Sequence, residues 1–166
     1  MICAIVAADN NWAIGKNNDL LYKLSTDMQQ FKQLTIDGGI VAMGENTLLS
    51  FPKSKPLKNR INIVLCPEEH NYEDCICYHS FDELVEDLKV ISKRFDIYVV
   101  GGAMFYKSML PYCDRIYVTK VDATDPDATA FFPNLDNLVD FKIVMESDSI
   151  YDNGYNIKFV TYERVN

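Results

Sequence analysis

The stretch Ile2-Cys3-Ala4-Ile5-Val6-Ala7-Ala8, with the polar run Asp9-Asn10-Asn11-Trp12-Ala13-Ile14-Gly15-Lys16-Asn17-Asn18-Asp19, Leu20-Leu21-Tyr22-Lys23-Leu24 and Ser25-Thr26-Asp27-Met28-Gln29-Gln30-Phe31-Lys32 behind it, decides the fold. A short unbroken apolar run ended by Asp and Asn reads as a strand buried on both faces. The polar run reads as a long loop, and Ser25 or Thr26 as the N-cap of a helix with Asp27 in its first turn. Asp is common in first turns because it offsets the positive end of the helix dipole, so its position alone is ordinary. A loop of this length straight after a first strand is uncommon in a compact domain and usually functional. It leads to a carboxylate flanked by Met28 and Phe31, residues that by themselves would more often be core.

Outward from this stretch the pattern alternates. Residues 40–43 read as a strand, ended by Gly44, with a short helix beginning around Asn46 and Thr47. The first helix is expected to end near residues 37–39. Residues 51–59 carry Pro52 and Pro56 and read as loop, and residues 60–66 form a strand stopped by Pro67. Residues 75–78 make a short fourth strand. Ser80-Phe81-Asp82-Glu83 is a capping box, and Leu84, Val85, Leu88 and Ile91 supply the apolar stripe of the helix behind it. Residues 96–100 form a strand running into Gly101-Gly102 and a helix over 103–110, and residues 115–121 form a sixth strand. Residues 141–145 and 155–162 alternate around the turn Asp152-Asn153-Gly154. The expectation is one α/β domain over residues 1–166, with a mostly parallel central sheet, an antiparallel C-terminal edge hairpin and helices on both faces.

Composition bounds the function. A net charge of −8 argues against a nucleic-acid partner, since phosphate backbones are held by clustered Lys and Arg. It leaves room for a small anionic ligand. The five cysteines are scattered without a Cys-x-x-Cys pair, and His70 and His79 have no ligand-like spacing. Thiols in a reducing cytoplasm are expected, with no metal site. The N-terminal apolar run has no basic leader and stops at Asp9, and no run is long enough to cross a membrane.

Taken in order, Ala13-Ile14-Gly15, the apolar pair before Tyr22, Leu24-x-x-Asp27 and Phe31-Lys32 resemble the dihydrofolate reductase family. The same order continues through Met43-Gly44-x-x-Thr47, Pro56-Leu57-x-x-Arg60-x-Asn62, Val99-Val100-Gly101-Gly102 and Phe131-Phe132-Pro133. The resemblance implies an NADPH-dependent reduction of dihydrofolate to tetrahydrofolate, in a cytoplasmic monomer open to folate-analogue inhibitors. It implies that Asp27 holds the pterin and favours its protonation, that Thr119 hydrogen-bonds Asp27, that Tyr22 stands where the family has tryptophan and holds a water, and that Leu20 lies on a mobile loop. It implies a substrate pocket of Ile5, Ala7, Met28, Phe31, Lys32, Phe51, Leu57, Val100 and Tyr106, with Arg60 gripping the glutamate tail. It also implies cofactor contacts from Ala7, Ile14, Gly15, Gly44, Glu45, Asn46, Thr47, Leu65, Cys66, Gly101, Gly102, Ala103, Met104, Phe105 and Tyr106, with Gly101-Gly102 joined by a cis peptide.

The chain departs from the family pattern at four places. Leu21 replaces a proline, Tyr22 a tryptophan, and Thr129-Ala130 an acid-threonine pair that steadies the closed loop. Glu45 stands where relatives place an arginine against the adenosine 2′-phosphate. A carboxylate ~4 Å from a phosphate costs about 1–4 kcal/mol at surface dielectric. A preference for NADPH over NADH weaker than usual in the family is therefore expected, with a lysine from elsewhere supplying the missing charge. Two rivals stand beside this reading. The related reductase of riboflavin synthesis should lack the Asp27–Phe31 pairing and Arg60, and a silent nucleotide- or pterin-binding module should not keep Asp27, Thr119 and Gly101-Gly102 together.

Overall fold

The structure is a computed structural model and describes residues 1–165. Its strands are β1 (Ile2–Ala8), β2 (Ala13–Lys16), β3 (Asp19–Leu20), β4 (Ile40–Gly44), β5 (Ile61–Leu65), β6 (Ile76–Tyr78), β7 (Ile97–Val99), β8 (Arg115–Val121), β9 (Ala130–Phe131), β10 (Phe141–Glu146), β11 (Ile150–Asp152) and β12 (Tyr155–Arg164). Four α-helices, α1 (Ser25–Gly38), α2 (Glu45–Ser50), α3 (Phe81–Ile91) and α4 (Ala103–Met109), lie between them. The main sheet runs β10-β12-β8-β1-β7-β4-β5-β6, with β11 beside β12. From β8 to β6 the pairs are parallel, and β12 joins β8, β10 and β11 antiparallel.

The apolar run in β1 faces two ways because strand side chains alternate. Ile2, Ala4, Val6 and Ala8 belong to one core with α3 and α4, through Leu84, Val85, Leu88, Phe105 and Met109. Cys3 and Ile5 belong to the other, with Leu48 of α2 and the partly buried Phe31 and Leu34 of α1. Helices thus cover both faces, as expected of a parallel sheet. The Ser80 half of the capping box forms, its Oγ accepting from the Glu83 N–H at 3.4 Å.

Three local expectations are corrected. The loop after β1 is not structureless, for β2 pairs with β3 and with β9 in a small second sheet. Strands this short carry too little alternation to read, and β9 is remote in sequence. The N-cap of α1 is Leu24, which has no side-chain acceptor, and Ser25 and Thr26 are already helical. The first-turn Thr26 N–H instead donates to Asp152 Oδ2 at 2.7 Å, so the capping oxygen comes from the β11–β12 turn. That turn joins β11 to β12, with Asn153 and Gly154 at φ 49° and 89°. The strand over residues 141–146 pairs farther along β12 and is an edge, exposed after Phe141.

Candidate active site

β1, near the middle of the main sheet, ends at Ala8, and the chain there is held by Asp9. The buried Asp9 carboxylate accepts the N–H groups of Asn11 (2.9 Å) and Ala13 (3.0 Å) through Oδ1, and the Tyr22 hydroxyl (3.1 Å) and Asp125 N–H (3.2 Å) through Oδ2. Trp12, stacked on Phe132 at 6.2 Å, pins the near end of the loop in one core. Tyr22 pins the far end in a small cluster with Leu24, Val121 and Ile157. Burial raises the Tyr22 phenol, and its bond to Asp9 raises it further. The Tyr22 hydroxyl, expected to hold a water near the pterin, donates here to Asp9 at the loop's base. Asp9 was read only as the end of the strand, although an Asp before Asn-Asn is a ready acceptor for turn amides.

α1 carries Asp27 to the mouth of β1 and β8. Asp27 Oδ1 accepts from Thr119 Oγ1 at 2.6 Å, joining positions that lie far apart in sequence. A recess around this pair is lined by Ile5, Gln30, Phe31, Tyr117, Phe159 and Thr161. Burial lifts the Asp27 carboxyl above the ordinary range, the Thr119 bond lowers it, and the nearby Asp152 adds to the rise. Gln30, Tyr117, Phe159 and Thr161 escaped the sequence reading because strands β8 and β12 carry no mark of which face meets α1.

Of the expected pocket residues, Ile5, Phe31, Phe51, Leu57 and Val100 meet in one apolar cluster. Ala7 lies partly buried in β1, and Tyr106 is buried beneath, its hydroxyl donating to the Ile5 carbonyl at 2.6 Å. Met28 is 53% exposed and stands outside the recess, and Leu20 and Lys32 are also exposed. Arg60 is positioned from two sides, Nη1 donating to Thr35 Oγ1 and Nε to the Lys58 carbonyl, both at 2.9 Å. That leaves three of its five N–H donors for a ligand. Burial lowers its guanidinium. Thr35 was missed, though it lies one helical turn after Phe31 on the same face.

On the other side of β1, β7 ends in Gly101-Gly102, and the peptide between them is cis. Gly101 has φ +140°, and a Cβ there would meet Thr47 Oγ1 at 2.8 Å, so the position demands glycine. Its carbonyl accepts from the Gly44 N–H at 2.9 Å, binding the ends of β7 and β4 together. Ala103 is partly buried, Met104 is 85% exposed, and Phe105 is core. Ile14 packs partly buried over the main core, and Gly15 leaves little room for a side chain, since a Cβ would lie 3.1 Å from the Asp19 carbonyl. Thr129 is bonded to this segment: its hydroxyl accepts from Asn17 N–H at 3.2 Å, and its N–H donates to Gly15 O at 3.0 Å.

Farther out, Asn46 is exposed, Leu65 is partly buried, and Cys66 is buried with its thiol pushed up to about 12 by burial and by Cys77. Glu45 Oε2 accepts the Tyr72 hydroxyl at 2.6 Å and lies 2.6 Å from His70 Nδ1. Among the described residues the ion-pair partner of Glu45 is His70. His70 and Tyr72 lie on the segment between β5 and β6, more than twenty residues from Glu45, and nothing in their spacing announced the contact.

The family profile described as dihydrofolate reductase matches residues 1–164. The chain belongs to the dihydrofolate reductase family. It is 33% identical over 169 residues to the dihydrofolate reductase of Bacillus subtilis, covering 100% of this chain and 96% of that one. It is 34% identical over 182 residues to the Bos taurus dihydrofolate reductase, covering 98% and 96%. A solved dihydrofolate reductase from Enterococcus faecalis, complexed with NADP(H) and RAB-propyl, superposes with a TM-score of 0.86 at 27% identity, covering 100% of this chain and 97% of that one. The dihydrofolate reductase fold accounts for the mixed sheet and for the order of its strands.

Proposed function

We propose that this protein reduces 7,8-dihydrofolate to 5,6,7,8-tetrahydrofolate, with NADPH as the reductant. The observation that carries the reading is Asp27, a carboxylate in an apolar recess, fixed by Thr119 at 2.6 Å and facing no Lys or Arg partner among the described residues. Such a group suits a flat heterocycle with adjacent N–H donors, which gives it two charge-assisted bonds. Its raised proton affinity favours keeping a proton at the site when the ring must gain one. Ile5, Phe31 and Phe51 wall the ring from water, and the uncommitted donors of Arg60 suit a carboxylate at the far end of an elongated substrate.

The bare backbone of Gly101-Gly102, packed against Thr47, and of Gly44 beside it fits a dinucleotide that approaches the main chain closely. When bound, the nicotinamide supplies the hydride. This chain's residues hold it beside the pterin and, through the tethered β2–β3 segment, screen the site from solvent. The five free cysteines support a reducing cytoplasm. Among the described residues no helix is long and apolar enough to cross a membrane. Folate analogues with a basic diamino ring would place a cation on Asp27, so inhibition by them is part of the reading.

The test is the loss of NADPH absorbance with dihydrofolate. Turnover abolished by Asp27→Ala in a protein that still folds is the expected result. No turnover in the unmodified protein would refute the reading.

A further inference from the structure

The mouth of the parallel sheet runs outward from β1 through β7, β4 and β5 to β6, at strand spacings of about 4.8 Å. Ligands of open α/β sheets lie across such strand ends. If the proposed function holds, on which this inference rests, a nicotinamide beside the Asp27 recess directs the adenosine half of its dinucleotide toward the β5–β6 end. That end is built around a carboxylate. Tyr72 is moored to β6, its N–H donating to Cys77 Sγ at 3.3 Å, and its hydroxyl donates to Glu45 Oε2 at 2.6 Å. His70 Nδ1 meets the same oxygen at 2.6 Å. Oε1 has no partner among the described residues, and the Glu45 side chain is only 16% exposed. One oxygen is thus tied down and the other left open as an acceptor.

Among the described residues the cation that faces this carboxylate is His70, which is positive only when protonated. From Ile61 to Leu88 the chain has no Lys or Arg, while Glu68, Glu69, Glu73 and Asp74 lie between β5 and β6. We propose that Glu45, held by Tyr72 and His70, selects at the adenosine ribose: its free Oε1 accepts from ribose hydroxyls, and its charge opposes a 2′-phosphate. The protein then takes a dinucleotide with a free 2′-hydroxyl, NADH, nearly as well as NADPH.

Direct binding to the unmodified protein and to Glu45→Gln, followed by quenching of protein fluorescence without folate, tests this. Gln keeps an oxygen for Tyr72 and His70, removes the charge, and turns the free acceptor into an amide N–H that a ribose hydroxyl oxygen can accept. The expected result is NADH and NADPH affinities within about tenfold of each other in the unmodified protein. Glu45→Gln should tighten NADPH about tenfold and move NADH by less than about threefold. The difference should shrink as ionic strength rises.

An unmodified protein that binds NADPH far more tightly, with a ratio untouched by Glu45→Gln, would overturn the proposal. So would a loss of NADPH affinity alone in His70→Ala with Glu45→Gln silent, since His70 would then be the group that reads the phosphate. Those outcomes leave the reductase reading intact, whereas binding of neither nucleotide would overturn both.

Discussion

At the scale of single residues, Asp27 has two linked effects. Asp27→Asn keeps an acceptor for Thr119 but removes the ionisable group, so turnover at neutral pH should fall by orders of magnitude. The residual rate should climb as pH is lowered, because solution then protonates the substrate beforehand. The same substitution should stabilise the fold. The folded-state carboxyl lies above its ordinary value, chiefly through burial, so the stability tied to its neutral form is fully present below the unfolded value and lost as pH rises through the folded one. Asp27→Asn should therefore melt higher than the unmodified protein near neutral pH, with the gap closing under acid conditions. A lower melting temperature at pH 7 would remove burial as the cause. Arg60 is only partly buried, so the lower end of the range for a desolvated charge pair applies, about 2 kcal/mol. Arg60→Leu should raise KM for dihydrofolate roughly thirtyfold, with little effect on a pterin lacking the glutamate tail. Equal losses for both would make Arg60 a support for Thr35 and the loop before β5.

At the scale of elements, the β11–β12 turn governs the start of α1. Asp152 caps it through Thr26, and Asn153 Nδ2 donates to the Lys23 carbonyl at 2.9 Å. Asp152→Ala should cost about 1 kcal/mol as a lost cap, read as a lower melting temperature. Asp152→Asn keeps an acceptor but withdraws a negative charge that raises the Asp27 carboxyl. Its cost should be smaller, and the pH profile of turnover should move to lower pH. An unmoved profile in Asp152→Asn would confine Asp152 to capping.

At the scale of the whole molecule, the two cores share β1, β4 and β5, whose alternate side chains feed both. They should therefore be lost together. The chain start is tied in by its ammonium, 2.7 Å from the Ser92 carbonyl, and the end by Arg164, donating to the Leu110 carbonyl at 2.6 Å. Leu88, fully buried on α3, is remote from Asp27 in the other core. Leu88→Ala should cost about 2–5 kcal/mol, while Val90→Ala, at a position 64% exposed, should stay within about 0.5 kcal/mol. Thermal unfolding of Leu88→Ala should remain a single transition at a lower temperature, with KM unchanged. A split transition would show that the faces unfold separately.

What the sequence determined by itself was whatever is encoded locally. The buried strands were legible because apolar runs mark them, α3 because its capping box and stripe are contiguous, and the Gly101-Gly102 junction because only glycine tolerates its conformation. Family resemblance added the pairing of Asp27 with Thr119 and the task assigned to Arg60. Tertiary structure alone decided the partners. Asp152 as the cap of α1, β9 as the partner of β2, Asp9 as the anchor of Tyr22, and the bonds of Tyr72 and His70 to Glu45 join residues far apart in sequence. The physical reason is that a polar side chain satisfies its hydrogen bonds with whatever the fold brings within about 3 Å, and local pattern carries no record of that partner.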